Sequence, residues 1–117
     1  MNLYGLNLKT LQIDFKMPNL KTLILSFNKL TSIRALTNCP NLTKLDLSYN
    51  MLNSVDYITD LKKLEVLYLH FNQIDDYHLL EDLQYLAKLK ELHVRGNPLE
   101  SEHGYRSLII QMFNEQL

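Results

Sequence analysis

The sequence predicts an α/β solenoid wound to the right, with a curved parallel sheet on its concave face, 3-10 or short helices on its convex face and a C-terminal capping helix. Two observations predict it: leucines two residues apart, with Val94 in one of the slots, recur at intervals of 22 or 25 residues, and an asparagine follows each pair at a constant distance. The length of 117 residues, 46% of them apolar, is enough for one domain spanning 1–117. A chain of this size buries roughly two-thirds of its unfolded surface, so its core needs no metal or disulfide support.

The strands come first. Residues 19–28 read NLKTLILSFN, 41–50 NLTKLDLSYN, 63–72 KLEVLYLHFN and 88–97 KLKELHVRGN, all fitting L-x-x-L-x-L-x-x-N with Val94 in one leucine slot. Leu20, Leu42, Leu64 and Leu89 step by 22, 22 and 25, and Asn28, Asn50, Asn72 and Asn97 step identically. Since 22 is twice 11, a right-handed helical supercoil competes with this reading. The pairs Leu23/Leu25, Leu45/Leu47 and Leu67/Leu69 decide against it, because residues two apart share one face of a strand but opposite sides of a helix. Pro18 and Pro40 mark unit boundaries. The units are therefore 19–40, 41–62 and 63–87, with 1–18 an irregular first turn and 88–117 the last strand and cap.

Stacked one repeat apart, such strands pair at about 4.8 Å and bury their leucines as one continuous core. Asn28, Asn50, Asn72 and Asn97 are read as a structural ladder, because an amide side chain both donates to and accepts from backbone groups that the bend would leave unpaired. On the wider convex side, 3-10 or helical segments curve the array with its strands inside. Residues 76–87 hold Leu79, Leu80, Leu83 and Leu86 at helical spacing, with Asp75 or Asp76 as N-cap, which predicts an α-helix of two to three turns.

The ends are less regular. Tyr105, Leu108, Ile109, Met112 and Phe113 form one apolar stripe, so a helix is expected to cover the C-terminal end of the core. At the other end NLKTL occurs at both 7–11 and 19–23, only 12 residues apart, whereas Leu3, Leu6, Leu8 and Leu11 suggest a shortened first unit of 17 residues; both registers stay open. Either way Leu11 or Lys16 stands where asparagine is expected. Solenoid ends need a polar cover, and none is read ahead of the first turn. A longer array, or pairing through the N-terminal turn, is expected.

These motifs resemble the leucine-rich repeat family over about residues 19–117. Its consensus is completed by Leu30, Leu52, Ile74 and Leu99, two places after each asparagine. The 22-residue unit, with second halves such as Leu30-x-x-Ile33-x-x-Leu36 and Leu52-x-x-Val55-x-x-Ile58-x-x-Leu61, is similar to the subfamily typified by a regulatory subunit of protein phosphatase 1. That subfamily also holds an axonemal dynein light chain and a protein of a spliceosomal small nuclear ribonucleoprotein. The resemblance implies a protein partner: a phosphatase catalytic subunit, a motor or axonemal assembly, or a ribonucleoprotein component. The subfamily's C-terminal cap continues through a proline; none stands between Leu99 and Leu117, so an incomplete cap is expected.

Composition narrows the function classes. The net charge of −1, without a basic block, argues against direct nucleic-acid or membrane binding. Residues 1–10 lack a basic stretch leading into an apolar run, and no run of about 18 apolar residues occurs, so neither secretion nor a membrane span is expected. The lone Cys39 fits a reducing compartment, read as intracellular and cytoplasmic, with cilium or nucleus implied by the resemblance. No phosphate-binding loop, nucleophile elbow or H-E-x-x-H occurs, so no enzyme and no cofactor are expected.

Function is expected on the concave face, where side chains alternating with the leucines point outward. Its central column is Ile24, Asp46, Tyr68 and His93. Thr22, Lys44, Val66 and Glu91 flank it on one side, and Ser26, Ser48, His70 and Arg95 on the other. Tyr68, His70, His93 and Arg95 are the expected partner-binding centre, since aromatic and arginine side chains dominate interface energies. A second column, Phe27, Tyr49 and Phe71, is broken by Gly96; it either packs between turns or stacks bases, and the missing basic groove favours packing. His70, His93 and Asp46 raise a zinc site as the rival chemistry, without any spacing motif to support it. Cys39 is read as a packing residue.

Overall fold

The computed structural model describes residues 1–12, 16–75, 77–101, 104 and 107, with 77–80 described by their backbone. Four three-residue strands form one parallel sheet in chain order: β1 (Thr22–Ile24), β2 (Lys44–Asp46), β3 (Val66–Tyr68) and β4 (Glu91–His93). Its register places residues one repeat apart side by side, so Leu23, Leu45, Leu67 and Leu92 form one row and Ile24, Asp46, Tyr68 and His93 the next. The ladder outlasts the strands: the backbone N–H of Leu25 donates to Asp46, that of Leu47 to Tyr68 and that of Leu69 to His93, each at 2.8 Å. The second leucine of each pair thereby keeps its place above the core. Leu23, Leu25, Leu45, Leu47, Leu67 and Leu69 are wholly buried, and burying a leucine contributes about 1.5–3 kcal/mol. Side by side, the turns build a body of 38 × 27 × 18 Å.

The asparagines close each bend. Asn50 Nδ2 donates to the carbonyls of Leu25, Leu47 and Ser48 at 3.0–3.1 Å while its Oδ1 accepts the Leu30 N–H at 3.0 Å. Asn72 and Asn97 repeat this one and two turns on, bridging Leu47 to Leu69 and Leu69 to Val94. All are buried, and each satisfies backbone groups of two successive turns that no strand ladder reaches. Asn28 reaches back to the carbonyl of Leu3 and accepts from the N–H groups of Leu6 and Leu8.

That last set decides the first turn. Leu8 bears to Asn28 the relation that Leu30 bears to Asn50, and Leu3 the relation of Leu25, so the offset is a full 22 residues. Asn2 bridges Ile24 in parallel, extending the sheet by part of a strand. Neither the 12-residue nor the 17-residue register holds, and Leu6 rather than Leu11 or Lys16 stands at the asparagine position. Leucine spacing alone misleads here because Leu3, Leu6, Leu8 and Leu11 fit the motif in more than one frame, whereas only one frame lets Asn28 find its backbone partners.

The four named helical elements of the convex side are all 3-10: Arg34–Asn38, Ile58–Asp60, Tyr77–Tyr85 and Pro98–Ser101. The expected α-helix over 76–87 is therefore corrected. Apolar residues three apart take backbone bonds from i+3 to i, with Cys39 donating to Leu36, Leu61 to Ile58 and Leu86 to Leu83. Three residues per turn aims Val55, Ile58, Leu61 and Leu64, or Leu83, Leu86 and Leu89, at the sheet without drift, and all seven are buried. The N-cap candidate Asp76 and the expected capping helix through Tyr105, Leu108, Ile109, Met112 and Phe113 lie outside the described residues. Among the described residues no helix is long and apolar enough to cross a membrane.

Candidate functional site

Alternation along each strand turns Thr22, Ile24, Lys44, Asp46, Val66, Tyr68, Glu91 and His93 away from the leucine core, and the parallel register assembles them into columns. Thr22, Glu91, His93 and Arg95 are exposed, and Ile24, Lys44, Asp46, Val66, Tyr68 and His70 are half-buried. Ser26 and Ser48, expected beside them, are instead buried at 5% and 3% exposure. Their column becomes accessible only at His70 and Arg95.

Tyr68, His70, His93 and Glu91 converge. The Tyr68 and His93 rings meet edge to face at 4.8 Å, and His70 lies 5.8 Å from Tyr68 and 6.0 Å from His93. Glu91 Oε1 lies 2.9 Å from His93 Nε2 and accepts the Tyr68 hydroxyl at 3.4 Å. Its carboxylate therefore holds both rings. Burial raises the Tyr68 phenol's pKa, helped by the negative charges of Glu91 and Asp46. Asp46 is itself engaged, accepting the Ser48 hydroxyl at 2.6 Å and the Ser48 N–H at 3.0 Å.

His70 is the least comfortable member. Its Nδ1 is buried without a hydrogen-bond partner. Desolvation holds its pKa below the ordinary imidazole value; Asp46 works against that shift, while His93 and Arg95 reinforce it. A neutral ring results at pH 7. Around it, Tyr49 at 5.7 Å and Phe71 at 6.0 Å present edge-to-face contacts. His70 thus joins the concave columns to the aromatic column.

That column is closed on itself. Phe27 and Tyr49 stack at 4.1 Å and Tyr49 and Phe71 at 4.7 Å, both within 13° of parallel. Tyr4 covers one end at 5.1 Å and the Arg95 guanidinium the other at 5.6 Å. Ring faces occupied in this way offer edges, not stacking platforms, to a nucleic-acid base. Phe27, Tyr49 and Phe71 all adopt left-handed backbone, with φ of 58–59°, at a cost of roughly 1–2 kcal/mol each. Stacking contacts of about 0.5–1.5 kcal/mol per pair offset part of it.

Among the described residues, no three His, Cys, Asp or Glu side chains gather where they could hold a metal ion. Cys39 is a buried free thiol whose pKa burial pushes up. Sequence reasoning named the members of the concave cluster but missed their couplings, above all Lys44 Nζ resting 5.5 Å over the Tyr68 ring. The 22-residue offset carried that signal, since Lys44 and Tyr68 are diagonal neighbours once the columns are aligned.

The family model described as "Leucine rich repeat" matches residues 7–52 and, in a second placement, 18–74. A chain of the Drosophila melanogaster SNF/U2A′ complex superposes with a TM-score of 0.80 at 22% identity, covering 97% of this chain and 67% of that one. At that identity the likeness is one of fold. An LRR protein of Leptospira interrogans gives 0.75 at 29% identity over 92% of this chain and 27% of its own. Internalin C2 of Listeria monocytogenes gives 0.72 at 27% identity over 83% and 42% respectively. The chain therefore spans less than half of the Leptospira and Listeria proteins. No curated protein matches it.

Proposed function

Because the chain belongs to the leucine-rich repeat family, whose fold generally serves as a protein–protein interaction scaffold, we propose that it is a non-catalytic scaffold binding a protein partner on its concave sheet face. The observation that carries this reading is the Tyr68–His93–Glu91 cluster, with its edge-to-face ring pair at 4.8 Å and shared carboxylate. Aromatic rings held on a rigid sheet lose little side-chain freedom on binding, so more of the contact energy survives as affinity. Its further members are Thr22, Ile24, Lys44, Asp46, Val66, His70 and Arg95. The unit length and convex leucines favour the subfamily of the phosphatase regulatory subunit. The SNF/U2A′ neighbour comes from a protein complex, which supports partner binding in general. A phosphatase catalytic subunit, an axonemal assembly and a ribonucleoprotein component are the partner classes of this reading. The unpaired, buried Cys39 supports an intracellular setting.

Affinity capture with wild type beside a Tyr68→Ala/Arg95→Ala variant tests it. Loss of the captured partner from the variant is expected; equal retention by both overturns the concave site.

A second reading, that these turns form part of a longer array or an assembly, is favoured by one observation. Leu3, Leu8, Leu11, Met17 and Leu20 are only partly buried against the first turn's side of the core. Light scattering of the purified chain separates the two: a monomer favours the self-sufficient scaffold, and concentration-dependent association favours the assembly role.

A further inference from the structure

The concave face has already spent its carboxylates and has not spent its cations. Asp46 is engaged by the Ser48 hydroxyl and N–H, and Glu91 by His93 and Tyr68. Lys44 and Arg95, in contrast, meet no carboxylate among the described residues. Lys44 Nζ lies 5.5 Å over the Tyr68 ring and the Arg95 guanidinium 5.6 Å over the Phe71 ring. Resting on ring faces, both are held in place while their N–H groups stay available. Between them lie the half-buried Val66, Tyr68 and His70 and the exposed His93, an apolar and aromatic strip.

We propose that this face takes an acidic segment of another protein, one that brackets an apolar or aromatic side chain with two carboxylates. The proposal rests on the concave-face reading above and adds the partner's chemistry. Lys44 and Glu91 share one column two strands apart, and Arg95 follows Glu91 by four residues. That places the two cations' Cα atoms roughly 16 Å apart, a span that an extended peptide covers in about five residues. The Arg95 fork suits a carboxylate bidentately, and Lys44 suits one as a point charge. A continuous polyanion fits less well, because Asp46, on the strand of Lys44, and Glu91, on the strand leading to Arg95, flank the path between the two cations and repel each phosphate that passes them. His70 is neutral at pH 7 and lends packing there. The groups facing it from neighbouring elements are Asp46, Tyr49, Tyr68, Phe71, His93 and Arg95.

The test selects a random twelve-residue peptide library on the immobilised full chain and on Lys44→Gln/Arg95→Gln and Tyr68→Ala variants, each checked for an unchanged unfolding midpoint. The wild type is expected to enrich peptides with Asp or Glu on both sides of an apolar or aromatic residue. Those peptides should bind the Lys44→Gln/Arg95→Gln variant at least tenfold more weakly in fluorescence anisotropy, and should weaken as salt rises. No enrichment, enrichment without acidic residues, or equal binding to that variant overturns the proposal. So does displacement of the peptide by an equal concentration of a twelve-nucleotide single-stranded DNA, which would indicate polyanion binding. Non-acidic peptides that are lost on Tyr68→Ala overturn the charge claim while leaving the concave face as the binding site. Peptides indifferent to every variant overturn both.

Discussion

A Cβ built on Gly96 falls 2.5 Å from Cδ1 of Phe71 and under 3 Å from two further atoms of its ring. The ring cannot retreat, because Tyr49 stacks 4.7 Å behind it. Gly96 also holds a φ of +78°. The glycine that ends the aromatic column is therefore what lets Phe71 lie flat against the last turn. Gly96→Ala should cost about 2–4 kcal/mol, combining left-handed strain with overpacking. Urea denaturation of the single variants and of Phe71→Ala/Gly96→Ala checks it: the double variant should lose less than the sum, and strict additivity would show that the ring is not the obstacle.

Removing a ladder asparagine should be among the most damaging single changes. Asn50→Ala leaves the Leu30 N–H without a partner in a buried bend, at about 1–3 kcal/mol, and removes its bonds to the Leu25 and Leu47 carbonyls, which Asn28 and Asn72 still reach, at about 0.5–1.5 kcal/mol each. A loss of roughly 3 kcal/mol or more is expected in chemical unfolding. Asn28→Ala should cost less, since its bonds to Leu3, Leu6 and Leu8 are only partly buried and water can replace them. Equal losses at the two positions would contradict this account.

Stability should fall with acidification through His70. Its pKa lies below imidazole's ordinary 6.5 chiefly because burial disfavours the cation. As pH drops from 6.5 toward the folded value, the unfolded chain takes up the proton first, so unfolding is favoured; above 6.5 both states are neutral and this contribution is constant. His70→Phe keeps a ring in the aromatic junction and removes the titration. Between pH 7.5 and pH 5 the unfolding midpoint of the wild type should fall further than that of the variant. Parallel curves would contradict the assignment.

Adjacent residues on opposite faces of one strand should respond unequally. Leu67 is wholly buried and Val66 half-buried on the concave side. Leu67→Ala should cost about 2–5 kcal/mol through the cavity it leaves, and Val66→Ala under about 1 kcal/mol. Thermal unfolding of the two variants distinguishes them; comparable losses would mean that the alternation is misplaced.

Much of this molecule is legible before any coordinates. Leucines two apart locate β1 to β3 and the pair Leu92/Val94 locates β4, the 22-residue step aligns Thr22 with Lys44 and Val66, and the asparagines locate the bends. The 76–87 segment is legible as apolar and convex, but the 3-10 form of Tyr77–Tyr85 is not, because leucines three and four apart both occur there and either helix type buries some of them. The first turn was illegible for a related reason: its leucines satisfy several frames, and only hydrogen bonds to Asn28 choose one.

Taken alone, the amino-acid order determined what repeats, because a pattern of period two and a fixed polar residue are local properties that survive without knowledge of the neighbours. What the tertiary structure decided is every relation between turns. Residues 20 to 28 apart meet only when turns stack, so the closed aromatic column, the Gly96–Phe71 contact and the cations resting on Tyr68 and Phe71 follow from that stacking. The same stacking buries Ser26 and Ser48 while leaving His70 half-open, a difference that no spacing within a single unit encodes.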